Sequence, residues 1–177
     1  MANLLLTVVS PDRPGVIEQI SAAVAEHGGN WQGGRFCRLG GQFAGIVQVQ
    51  LPETDAQLLR ERLSALSENG VRIEVTENVP AEIDPNNATI QLELMAGDRP
   101  GIMRELAAQL AKLGVNVEDL STECVSAPMS GEALFKASAT VRLSGEVGEE
   151  NIREALESLS DDIMVEIITE LDVTPDL

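Results

Sequence analysis

The chain has 177 residues, is 44% hydrophobic, and carries a formal net charge of −17. That charge argues against direct binding of nucleic acid, where Lys and Arg must neutralise phosphates, and equally against an anionic membrane surface. It fits a solvated acidic surface, or docking to a basic partner.

A chain of this length holds one domain or two small ones. No run reaches the roughly 18 apolar residues of a membrane span, and the first residues lack the basic region and apolar core of a signal peptide. Cys37 and Cys124 are the only cysteines and form no CxxC. These features predict a cytoplasmic protein with reduced thiols. Burial as small apolar residues is the default reading of both cysteines, with a redox pair as the alternative.

In chain order, Leu4 to Val9 is an apolar run of strand length, ended by Ser10-Pro11. Asp12-Arg13-Pro14-Gly15 follows, with Pro14 suited to the first turn of a helix. Val16, Ile17, Ile20, Ala23, Val24 and His27 fall on one helical stripe, and Gly28-Gly29 stops it. Asn30 to Leu39 reads as a second strand, whose Gly33-Gly34 suggests a bulge or a close backbone approach. Gly40-Gly41 makes a hairpin turn into a third strand, Gln42 to Leu51. Thr54 is the expected N-cap of a second helix with Leu58, Leu59, Leu63 and Leu66 on its buried side. Asn69-Gly70 closes that helix, and Val71, Ile73 and Val75 alternate as a fourth strand. Residues 78–88, with two prolines, read as a linker.

The pattern then repeats. Asp98-Arg99-Pro100-Gly101 stands 86 residues after its first copy. At that offset Val16 falls on Ile102, Ile17 on Met103, Ile20 on Leu106, Val24 on Leu110, His27 on Leu113, Gly28 on Gly114 and Asn30 on Asn116. Strands are expected at Ile90 to Leu94, Val115 to Val125, Ala133 to Leu143 and Ile163 to Ile167. A helix is expected at Glu149 to Leu159, and Thr174 to Leu177 reads as a frayed tail. An internal repeat decides the architecture: the chain is α+β, two tandem ferredoxin-like βαββαβ domains, residues 1–77 and 89–173. Each is a four-stranded antiparallel sheet with both helices on one face. The free sheet face and the edges need cover, so the two copies are expected to share an interface, with or without a second chain in a homodimer.

The turn before each first helix is the candidate binding element. A helix N-terminus offers unpaired N–H groups and a positive dipole end to a carboxylate. Gly15 and Gly101 let a ligand approach the backbone, Pro14 and Pro100 stiffen the turn, and the amides of Asn30 and Asn116 offer a donor and an acceptor; βαβ topology sets each Asn away from the turn of its own copy, so an interface between copies would be needed to bring it close. The same residues also suit a plain tight turn and a tight corner, and spacing alone does not separate the two readings.

A strand, an Asp-Arg-Pro-Gly turn, an amphipathic helix and then Gly-x-Asn, twice in register, resemble an ACT domain. That family is ferredoxin-like and binds amino acids or other small effectors at interfaces between domains. Two such domains in about 180 residues resemble the glycine cleavage system transcriptional repressor family. The resemblance implies a protein without a DNA-binding domain that works through a DNA-binding activator, with glycine as the expected signal. It also implies that Asp12, Arg13, Pro14, Gly15 and Asn30, and their counterparts Asp98, Arg99, Pro100, Gly101 and Asn116, line the effector sites. Val16 and Ile102 would add backbone N–H groups. Other readings are a free-standing regulatory subunit of a biosynthetic enzyme and an adaptor whose turns bind nothing.

No catalytic residues, cofactor or metal are expected. His27 has Leu113 as its repeat counterpart, which fits packing or a helix C-terminus. Glu146, Glu149 and Glu150 read as a solvated helix start, too widely spaced for Ca²⁺. Nucleophile-elbow, Walker A and dinucleotide glycine motifs are missing from the sequence. RNA binding by a ferredoxin-like sheet would need basic charge and strand aromatics, and the chain has only Trp31, Phe36, Phe43 and Phe135.

Overall fold

A computed structural model describes residues 1–78, 88–128, 131–143, 145 and 147–168. The chain divides into two compact units. The expected linker lies almost wholly outside the described residues, as do Glu146 and the expected C-terminal tail.

The first unit runs β1 (Ala2–Pro11), α1 (Val16–Glu26), β2 (Asn30–Leu39), β3 (Gln42–Leu51), α2 (Ala56–Ala65) and β4 (Arg72–Glu77). The second runs β5 (Thr89–Gly97), α3 (Ile102–Lys112), β6 (Asn116–Ser126), β7 (Ala133–Arg142), α4 (Glu149–Glu157) and β8 (Met164–Ile168). The two sheets have the orders β2-β3-β1-β4 and β6-β7-β5-β8, and every strand pair is antiparallel. This is the ferredoxin-like βαββαβ fold, twice.

Each core sits between one sheet face and its two helices. In the first unit Leu4, Leu6 and Val8 of β1 and Val47, Val49 and Leu51 of β3 meet Val16, Ile20, Ala23 and Val24 of α1 and Leu59 and Leu63 of α2. Alternation on the strands and a 3.6-residue stripe on the helices put these residues on facing surfaces. The second core repeats the plan with Leu92, Leu94, Val141, Ile102, Leu106, Ile152 and Leu156.

The structure corrects several details. Ile17 and Leu58, expected in the core, are 40% and 53% exposed. Each is one residue, about 100° of helix, away from a better-placed neighbour (Val16 or Leu59) that takes the buried position. Thr54 does not cap α2; its hydroxyl bonds the Asp55 carboxylate, and a 3-10 turn over Glu53–Asp55 leads into the helix. Both cysteines, expected to be buried, are exposed, because β2 and β6 are edge strands.

The β2 bulge is present between Trp31 and Gly33. It recurs between Val117 and Asp119, where no glycine stands, so glycine is not its cause. Gly34 answers to close approach instead: a Cβ there would lie 3.2 Å from the Ile46 carbonyl oxygen and 3.3 Å from the Trp31 ring.

Candidate functional site

The repeated turn has nearly the same backbone in both units. The Asp12 N–H donates to the Gly41 carbonyl at 3.0 Å, and the Asp98 N–H donates to the Ala133 carbonyl at 2.9 Å, so each turn is tied to the adjacent strand pair. Gly15 has φ 89° and ψ 0°, and Gly101 has φ 91° and ψ −4°. Both are left-handed, a conformation glycine adopts without the Cβ penalty. Their carbonyls accept the N–H groups of Gln19 (3.0 Å) and Glu105 (3.1 Å), which starts α1 and α3.

The side chains differ between the copies. In the first unit the Asp12 carboxylate pairs with Arg38 Nε at 2.5 Å. Arg13 Nη2 donates to the Asn69 carbonyl at 3.0 Å. A pocket of about 470 Å³ opens beside the turn and the start of α1, bounded by Arg13, Gly15, Val16, Glu18, Ser21 and Phe43. In the second unit Arg99 grips Glu105 with two parallel bonds of 3.0 and 2.6 Å. That hydrogen-bonded pair raises the Arg99 pKa and holds Glu105 below the ordinary carboxylate range. The Ile102 N–H, expected to be offered to a ligand, donates to the Arg99 carbonyl at 3.3 Å. Cys124 stands beside Asp98; loss of water around the sulfur, and then the carboxylate's charge and hydrogen bond, raise its thiol pKa.

The ends of the two central strands show a paired exchange. β1 ends in Pro11, which has no N–H to satisfy; β5 ends in Gly97, whose N–H donates to Asp162 Oδ2 at 2.9 Å. A Cβ at Gly97 would meet that oxygen at 2.8 Å, so any other residue there would push the Asp162 carboxylate aside. The Ser160 hydroxyl, first, and the Gly97 N–H hold the Asp162 carboxyl below its ordinary 3.8. A depressed carboxyl contributes stability that is complete above its unfolded pKa and is lost as pH falls through the folded value. Asp162→Asn keeps an acceptor oxygen but cannot titrate. Thermal unfolding of the full chain from pH 6 downward is therefore expected to show a shallower fall in Tm below about pH 4 for Asp162→Asn than for the parent. Parallel curves would mean that the contact does not couple to folding.

Asn30 and Asn116 are not brought to the turns of their own units. Asn30 is level with Gln50 and Asn3, whereas the Asp12 turn follows the other end of β1, level with Gln42 and Leu39. The separation is about the length of the strand, roughly 25 Å at 3.3 Å per residue. Asn116 is placed in the same way, level with Arg142 and Thr89. His27 closes α1: its Nδ1–H donates to the Ala23 carbonyl at 2.8 Å. Among the described residues no group of three or more His, Cys, Asp or Glu side chains could hold a metal ion, and no helix is long and apolar enough to cross a membrane.

Sequence reasoning passed over Arg38, Gln19, Glu105, Asp162 and Phe43. One signal was present: the 86-residue offset sets Arg38 on Cys124, Gln19 on Glu105 and Pro11 on Gly97. These are the positions at which the two turns diverge.

The fold and the site together define a class of tandem ferredoxin-like modules, each with a glycine-capped turn at the head of its first helix. The family model described as the ACT domain matches residues 2–76. A UPF0237 protein of Methanopyrus kandleri is 36% identical over 70 residues, covering 38% of this chain and 78% of that protein. The chain belongs to the ACT-domain family, whose domains are regulatory modules, and it carries the fold twice. The likeness to solved structures covers nearly the whole chain. A protein of unknown function from Galdieria sulphuraria superposes with a TM-score of 0.82 at 26% identity, over 94% of this chain and 96% of that one. The crystal structure of a candidate glycine cleavage system transcriptional repressor superposes with a TM-score of 0.68 at 16% identity, over 96% of this chain and 98% of that one.

Proposed function

We propose that this protein is a non-enzymatic sensor that binds a small amino acid at its ACT turns and controls transcription through a protein partner, without contacting DNA itself. The observation that carries the reading is the turn, built twice with a left-handed glycine (φ 89° and 91°) at the head of a helix. Such a turn presents backbone N–H groups and a positive dipole end to a carboxylate. In this reading Asp12, Arg13, Pro14, Gly15 and Val16, and Asp98, Arg99, Pro100 and Gly101, form the effector-binding element; the Ile102 N–H, donated to the Arg99 carbonyl, would have to be released to join it. Asn30 and Asn116 enter it only as residues that an adjoining copy would supply. Glycine is the first ligand to test, by likeness to the candidate repressor. The net charge of −17 supports a basic protein partner over nucleic acid.

The test is thermal unfolding of the full chain against the twenty amino acids. A ligand at 100 times its Kd stabilises by about 2.7 kcal/mol, which is roughly 5–10 °C in Tm at this size. A shift confined to one or two small amino acids is expected. No shift with any of them would leave an adaptor whose turns bind nothing. Affinity purification then names the partner: a transcription factor supports the proposal, and a biosynthetic enzyme replaces it with a regulatory-subunit role.

A further inference from the structure

Arg13 lies between two hollows. One is the pocket beside Phe43 described above. The other, of about 490 Å³, opens on the α2 side of the turn and is lined by Arg13, Gln19, Arg62, Leu66 and Asn69. Two arginines, a glutamine and an asparagine line this hollow, and none of its lining residues is acidic. That is unusual in a chain with 29 acidic and 12 basic residues. The present partners of the arginines compete weakly. Arg13 donates to a neutral carbonyl, that of Asn69, and Arg62 reaches the exposed Glu26 at 3.5 Å.

The second unit supplies an internal comparison. The counterpart of Arg13 is Arg99, which is already neutralised by Glu105 through two bonds. Glu105 stands where the first unit has Gln19. Leu59, Leu63 and Leu66 correspond to Ile152, Leu156 and Leu159, which places Ala155 where the first unit has Arg62. At the corresponding place in the second unit, one exchange removes a positive charge and the other adds a negative one. A guanidinium recognises carboxylate and phosphate oxygens through paired, charge-assisted hydrogen bonds, and amide N–H groups can add to them.

We propose that the hollow between the first turn and the end of α2 is an anion-binding pocket. It takes one carboxylate or phosphate group on Arg13 and Arg62 with the Gln19 amide donating. The second unit has lost this pocket. Arg13 borders both hollows, but Gln19, Arg62 and Asn69 line only this one, so the pocket is testable apart from the amino-acid reading.

The experiment is isothermal titration of the full chain with sodium phosphate and, separately, sodium acetate, in chloride buffer at constant ionic strength. One saturable anion per chain is expected. Arg62→Gln should weaken binding about tenfold, the size of one lost charge-assisted bond. Gln19→Glu, which installs the second unit's carboxylate, should abolish binding. Lys112→Gln, of equal charge change and not among the residues that line the pocket, should leave the affinity unchanged. Tighter phosphate than acetate would identify a phosphorylated ligand, and the reverse order a carboxylate; either order supports the pocket. No saturable binding to the parent, or an equal loss in Lys112→Gln and Arg62→Gln, would overturn it. Arg62, which lines this hollow and not the one beside Phe43, separates the two readings: Arg62→Gln should weaken phosphate binding and spare the amino-acid shift in Tm, so failure of one reading is distinguishable from failure of the other.

Discussion

Gly45→Ala is expected to destabilise the first unit by about 3 kcal/mol, the upper range for forcing atoms into a filled space. Gly45 sits on β3 opposite Phe36 of β2. A Cβ there would lie 2.3 Å from the Arg35 carbonyl oxygen and 2.4 Å from the Phe36 ring. The ring lies across the glycine and stacks on Phe43, with centroids 5.0 Å apart and planes 7° from parallel. Trp31 extends the stack at 6.2 Å. These three aromatics are half-buried and pack against the core of the first unit. The second unit solves the same position differently: Ala137 takes the place of Gly45, and Thr122 faces it. With no ring to accommodate, a Cβ fits.

The consequence is a coupled pair. Phe36→Thr alone should cost about 0.5–1.5 kcal/mol in lost stacking, beyond its area. Added to Gly45→Ala it should recover part of the loss, because only the ring collision is relieved and the strand backbones must still separate slightly. Urea unfolding of the parent, both single variants and the double variant gives the coupling energy. Additive losses would show that the ring and the glycine are independent, and an unchanged midpoint for Gly45→Ala would remove the steric account.

Gly15→Val should abolish effector binding at the first turn, and Gly101→Val at the second, while each unit still folds. Both glycines are left-handed, and an L-residue there costs about 1–2 kcal/mol, somewhat more when β-branched. Space is not the obstacle. A Cβ at Gly15 would lie 3.7 Å from Gln19 Nε2, and one at Gly101 would have nothing within 4 Å. Strain is instead relieved by turning the peptide, which moves the N–H groups at the head of the helix. Asn tolerates the left-handed region better than Val. Gly15→Asn should therefore recover most of the stability, and any binding deficit it keeps reports the side chain itself. Ligand titrations by calorimetry, with circular dichroism as the folding check, separate these effects. Unchanged affinity in both Val variants would remove the turns from the site.

The sequence by itself determined the elements and their number. Strand alternation, the helical stripes and the glycine stops are local patterns, and a pattern repeated at a constant offset is read without knowing any contact. The two turns were legible for the same reason: Asp, Pro and Gly act through their own backbone geometry. What the tertiary structure alone decided was which residues meet across the chain. Arg13 reaches the Asn69 carbonyl, whereas Arg99 closes on Glu105. Asp162 satisfies a Gly97 N–H that Pro11 does not possess. Phe36 lies over Gly45, and the edge strands leave Cys37 and Cys124 exposed. These outcomes depend on register and on how far a helix covers an edge strand. Both are set by packing of the whole unit rather than by the propensity of any segment, so two halves with one pattern arrive at one fold and two different sites.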